Sequence, residues 1–128
     1  MRRLIVLSVF LCGACSTWAK LTDEHLYRQL KELNVQHPLI ALAQARLETG
    51  NYTSQLCRER KNLFGIKANG RYKSFHSYKE CILYYKDKIQ SRYIGGDYYA
   101  FLKKIGYASD PAYIHKLKRI VANIKTLT

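Results

Sequence analysis

Asn69-Gly70 carries a strong signature of a tight β-hairpin turn. Asparagine and glycine both tolerate the left-handed backbone that a two-residue hairpin loop requires. Here they separate "FGIK" from "RYKSF", two runs with aromatic and β-branched residues. The remaining strong punctuation marks helix ends. That contrast restricts the chain to an α+β domain, mainly α, with one small β-hairpin, and its 128 residues suffice for a single core.

Thr22 precedes Asp23 and Glu24, so a first helix is expected from Thr22 to Leu33, with the threonine as N-cap and both carboxylates at the positive end of the dipole. The second spans Pro38 to Thr49, since proline suits a first turn and Gly50 a left-handed C-terminal cap. A short helical segment over 53–60 follows, capped by Thr53 or Ser54. Ser77 and Glu80 stand at capping-box spacing and open a helix that runs to about Tyr93, burying Cys81, Ile82, Tyr85 and Ile89. Gly95-Gly96 ends it. "DYYAFLKKIG" supplies a helix finishing near Gly106, and "DPAYIHKLKRIVANI" a last one with Asp110 as N-cap and Pro111 in its first turn.

The opening residues 1–19, "MRRLIVLSVFLCGACSTWA", combine two arginines, an apolar run from Leu4 to Leu11 and small residues thereafter, the layout of a secretory signal peptide. The apolar run is too short for a permanent membrane span. Two exits fit it: cleavage after Ala19, or lipidation of Cys15 after Gly13-Ala14, which anchors the chain to a membrane. Residues 20–128 then form the mature domain. An exported chain of net charge +13 is expected to meet wall polymers, peptidoglycan carboxylates or membrane surfaces rather than nucleic acid, for which it carries no motif. Periplasm or cell envelope is the expected location, and a monomer the expected state. Cys57 and Cys81 remain in the mature chain, where an oxidising compartment permits a bridge between them; two small buried core residues are the alternative. His25, His37, His76 and His115 lack metal-ligand spacing, so no metal and no cofactor is implied.

Within "ALAQARLETGNYTSQ", residues 41–55, Glu48 is the lone carboxylate. On a helix, Ala41, Ala45 and Glu48 share a face whose small residues allow close approach, and Gln44 lies one turn before the glutamate. Near the negative end of the helix and with burial, the carboxyl favours its neutral form, the form a general acid needs at a glycosidic oxygen. An ordinary solvated glutamate fits the same position.

Three stretches, "LIALAQARLETGNYTSQL", "KNLFGIKANG" and "GYASDPAYIHKLKRIV", follow one another in an order that resembles the glucosaminidase domain of family 73 of the glycoside hydrolases, the family of flagellar peptidoglycan hydrolases and many bacterial autolysins. The likeness covers roughly residues 22 to 125. It implies a lysozyme-like, two-lobed domain with a substrate groove between a helical lobe and a β lobe, and cleavage of N-acetylglucosaminyl bonds in peptidoglycan glycan strands. It places the catalytic acid at Glu48 and nominates Tyr107 as the groove tyrosine, with Tyr113 as second choice. Gln44, Asn62 and Phe64 are the further substrate contacts expected, Gly65 allowing a tight backbone approach. Phe64 equally suits a plug between the lobes, and Tyr113 a core position on the last helix. One departure stands out: many members carry a second acidic residue in an extended β lobe, whereas residues 60–79 here contain no Asp or Glu. Glu80 is explained by its capping box. Two functions therefore follow, an endo-β-N-acetylglucosaminidase and a catalytically weak glycan-binding module.

Overall fold

The computed structural model describes residues 21–124, so the expected signal peptide, with Cys12, Cys15 and Ala19, lies outside the described residues, as do residues 125–128. Helix α1 (Asp23–Glu32) is capped by Thr22, whose hydroxyl accepts from His25 N at 3.2 Å, and its buried Leu26 and Leu30 lie one turn apart. Helix α2 (Pro38–Thr49) begins at the proline and stops at Gly50, where a φ of +57 turns the cap N–H onto the Arg46 carbonyl. Helix α3 (Gln55–Arg60) takes Ser54 as its cap.

Helix α2 is the centre of the molecule. Residues Ala41, Leu42, Ala43, Gln44 and Ala45 are all fully buried, and the helix packs between α1 and the last helix. Its alanines let both neighbours approach closely. Ala41, Leu42 and Ala45 join the larger core with Leu26, Leu30, Leu63, Phe64, Ile82 and Tyr85, while Ala43 faces a second cluster of Tyr98, Leu102, Tyr113 and Leu117. Each leucine-sized side chain so buried contributes about 1.5–3 kcal/mol.

Strands β1 (Lys67–Ala68) and β2 (Arg71–Tyr72) pair antiparallel, Lys67 with Tyr72 and Ala68 with Arg71, around Asn69 and Gly70, both left-handed. The strands are shorter than the flanking runs suggest because Ile66 and Phe75 turn into the core. All four strand residues are exposed, so the hairpin owes its place to Asn62 instead. That buried amide donates to Ile66 O and Lys73 O, each at 2.9 Å, and accepts from Ile66 N at 3.0 Å and Phe64 N at 3.3 Å, holding both feet of the hairpin.

Ser77 caps α4 (Tyr78–Lys88), its hydroxyl accepting from Glu80 N at 3.1 Å, while Glu80 reaches back to His76 N at 2.9 Å, one residue beyond the reciprocal partner expected. A 3₁₀ turn over Gln90–Arg92 completes the segment, because Gln90 is drawn inward and buried, and Ile89 is left only half-buried. Asp97 caps α5 (Tyr98–Lys104). The last helix, α6 (Tyr113–Ile124), starts two residues later than Pro111 predicts: Asp110 bonds Ala112 N at 2.9 Å and Tyr113 N at 3.0 Å, making Pro111 part of the turn before it. Cys57 and Cys81 are free, buried thiols, so of the two readings the core residues hold. The whole is a mainly helical α+β domain of the lysozyme-like kind, with the hairpin lobe facing the helical lobe.

Candidate active site

Glu48 occupies the last turn of α2, half-buried, where α2, the loop before the hairpin and the start of α6 meet. Gly65 lies against its carboxyl so closely that a Cβ there would stand 2.6 Å from Glu48 Oε1, and the glycine's φ of +66 disfavours side chains independently. This loop is fixed by Asn62 from within and by Tyr107 from the other side, whose hydroxyl donates to the Phe64 carbonyl at 2.6 Å. Tyr107 in turn stacks on Tyr113, ring centroids 5.9 Å apart.

Burial raises the Glu48 pKa above the usual carboxylate range, and the nearby Tyr113 hydroxyl partly opposes it by favouring the charged form. Tyr113 itself is held as a neutral phenol by its own burial and by the facing carboxylate. Tyr107 is likewise pushed well above the ordinary phenol value by burial.

In front of Glu48 runs a groove of about 560 Å³, lined by Gly65, Ile66, Lys67 and Tyr72 on the hairpin side, Tyr84, Lys88, Ile89 and Arg92 from α4 and the turn after it, and Ile105 to Ser109 opposite. Glu48 is the only carboxylate among these lining residues, and three cations share the walls with it. None of the ion pairs among the described residues involves Glu48. Among the described residues no group of His, Cys, Asp and Glu is arranged to hold a metal ion.

The residues expected to touch a ligand thus divide. Glu48 and Tyr107 line the groove. Gln44, Asn62 and Phe64 are fully buried and have no surface to offer a substrate, so those three expected contacts are corrected to supporting positions. Gln44 donates to the Tyr113 hydroxyl at 3.0 Å and accepts from Tyr85, Asn62 holds the hairpin, and Phe64 stacks on Tyr85 with ring centroids 4.2 Å apart. Tyr113 is also buried and is not among the residues that line this groove. Two groups went unnoticed in the sequence: the groove cations Lys67, Lys88 and Arg92, and the buried polar side chains Tyr98 and Gln90. The first lie in ordinary charged stretches; the second lack any local signal, since their partners come from distant segments.

A family model described as Glucosaminidase, mannosyl-glycoprotein endo-beta-N-acetylglucosaminidase, matches residues 23–126. No curated protein and no solved structure matches the chain.

Proposed function

We propose, from the premise that the chain belongs to the glucosaminidase family, that it is an exported peptidoglycan hydrolase, an endo-β-N-acetylglucosaminidase that cleaves glycan strands with Glu48 as general acid. The observation that carries this reading is the half-buried carboxyl of Glu48, held toward its neutral form at the wall of a groove in which it is the only acid. A desolvated carboxyl delivers its proton to a leaving glycosidic oxygen more readily than a solvated one at the same pH. Glycosidases usually pair it with a second carboxylate. The lining residues supply none, so the substrate's own 2-acetamido oxygen takes that part. It bonds to C1 as the C1–O bond breaks and Glu48 protonates the leaving oxygen. Water, giving its proton to the Glu48 carboxylate, then adds at C1, opens the ring so formed and restores the acetamide. Two displacements retain the configuration at C1.

Tyr107 supports the site by fixing the Gly65 loop and is among the residues lining the groove, where an aromatic side chain suits a sugar. The same lack of a second carboxylate favours the other reading, a glycan-binding module with weak turnover. Incubating the mature protein with peptidoglycan and measuring new reducing ends separates the two. The hydrolase reading expects product that disappears in Glu48→Gln by roughly 10²–10⁴-fold, with Glu80→Gln, a capping change on an exposed residue, retaining turnover. No product at any pH establishes the binding module. Turnover surviving in Glu48→Gln overturns the assignment of the acid.

A further inference from the structure

Arg92 and Ile105 line the groove in front of Glu48, and both also line a second cavity of about 340 Å³ between the turn after α4 and helix α5. The two spaces therefore adjoin. Tyr93, Ile94, Ala100, Phe101 and Ile105 give this annex apolar walls, while Arg92, Asp97 and Lys104 supply its charge. Ile94 is 98% exposed, more than any other large apolar side chain among the described residues.

Most polar groups of the annex are already engaged. Asp97 Oδ1 accepts from Tyr99 N at 2.9 Å and Ala100 N at 3.4 Å as the cap of α5. The Tyr93 hydroxyl donates to the Gly96 carbonyl and lies 3.0 Å from His37 Nε2, and its ring packs edge-on against Tyr98 and Phe101, with centroids 5.0 and 5.3 Å away. Arg92 and Lys104 belong to no ion pair among the described residues. What the annex offers a ligand is thus two open cations beside an apolar wall. A sugar ring presents hydroxyls along its edges, and the residues lining the annex include no Asn, Gln, Ser or Thr to meet them. A short peptide with small apolar side chains and free carboxylates matches both features.

We propose that the annex holds the peptide stem of the peptidoglycan strand whose sugars lie in the groove, with Arg92 and Lys104 binding the stem's carboxylates and Ile94 covering its apolar side chains. Peptidoglycan differs from a plain N-acetylglucosamine polymer in carrying such stems, so the annex lets the site distinguish wall from stem-free glycan. Stem and sugar are one molecule, and the second contact is intramolecular, adding affinity without a second cost of association. Arg92, on the shared wall, is the first cation a stem meets on leaving the groove. The proposal rests on the glycan occupying that groove.

Titrations followed by ¹H–¹⁵N correlation spectra test it. The mature protein carries Glu48→Gln so that the fragments stay intact. The probes are a peptidoglycan tetrasaccharide with its stems, the same sugar with the stems removed, and one whose stem carboxylates are converted to amides. The stem-bearing probe is expected to move the amide signals of Ile94, Gly95, Ala100 and Lys104, and to bind about 2–30-fold more tightly than stem-free sugar, the range two exposed ion pairs allow. The amidated probe loses most of that gain. Lys104→Glu loses it too and leaves the affinity for stem-free sugar unchanged, whereas Lys103→Glu, the same change of charge on a neighbour that does not line the annex, retains it. Should Lys104→Glu not fold, Lys104→Gln shows the same loss in smaller measure.

Equal binding of stem-bearing and stem-free probes overturns the proposal, as do equal losses in Lys104→Glu and Lys103→Glu, the mark of a general field from a chain of net charge +13. Movement of the Ile94 and Ala100 signals by stem-free sugar assigns the annex to glycan and overturns it as well. Binding of neither probe overturns it together with the glycan's place in the groove. Peptidoglycan that yields no new reducing ends bears on turnover alone, because these titrations require none.

Discussion

At the scale of single residues, Glu48 and Gly65 act as one unit. The carboxyl is desolvated because the loop backbone lies directly upon it, and that approach requires the absent side chain at position 65. Gly65→Ala adds a Cβ at 2.6 Å from Glu48 Oε1 in a left-handed conformation, so a loss of about 1–3 kcal/mol is expected by denaturant unfolding, with turnover falling further as the acid is displaced. Burial also sets the sign of the pH dependence. The folded pKa of Glu48 is raised, so the native state holds this proton more tightly than the unfolded chain. Its contribution to stability is present below the unfolded pKa and is lost as pH rises through the raised folded value. Glu48→Gln is therefore expected to be the more stable protein at neutral pH, with the difference closing in acid; thermal unfolding at two pH values checks this. On the proposed mechanism activity is expected to follow the same group, present while Glu48 is protonated and declining above its pKa, as a pH profile of turnover checks.

At the scale of elements, the hairpin shows how a two-strand sheet survives without a buried face. Two paired residues per strand, all exposed, are marginal alone. One buried amide ties the loop before it to the strand after it. Asn62→Ala leaves several buried backbone groups unpaired and is expected to cost roughly 2–5 kcal/mol, measured by denaturant unfolding. The damage should extend to the site, since the same amide holds the Gly65 loop over Glu48. Helix α2 illustrates the complementary case: it carries Glu48 and is packed against both α1 and α6.

For the molecule as a whole, charge is distributed in a way that suits an anionic glycan. Net charge is +13, and Lys67, Lys88 and Arg92 stand along the groove walls. Binding to peptidoglycan is expected to weaken steeply from low to high salt, because exposed charges are screened over about 8 Å at physiological ionic strength. Replacing the three groove cations by glutamine should flatten that dependence, read by sedimentation of the protein with insoluble wall material. No helix among the described residues is long and apolar enough to cross a membrane.

What the amino-acid order determined alone was local. Thr22, Gly50, Ser54 and Asp97 end or begin helices because each satisfies a backbone group within a few residues of itself, and Asn69-Gly70 makes its turn by its own conformational preference. The isolation of Glu48 in an alanine-rich helix was legible for the same reason. Tertiary structure alone decided which side chains face the groove. Asn62 and Phe64 read as groove residues by their place in a motif, yet both are buried, because their partners Lys73 and Tyr85 arrive from later segments. Gln44, Tyr85, Tyr98 and Gln90 are scattered over three helices and a turn. Nothing in sequence spacing joins them; they meet because burying a polar group in a core is tolerated only when another polar group, from elsewhere in the chain, meets it there.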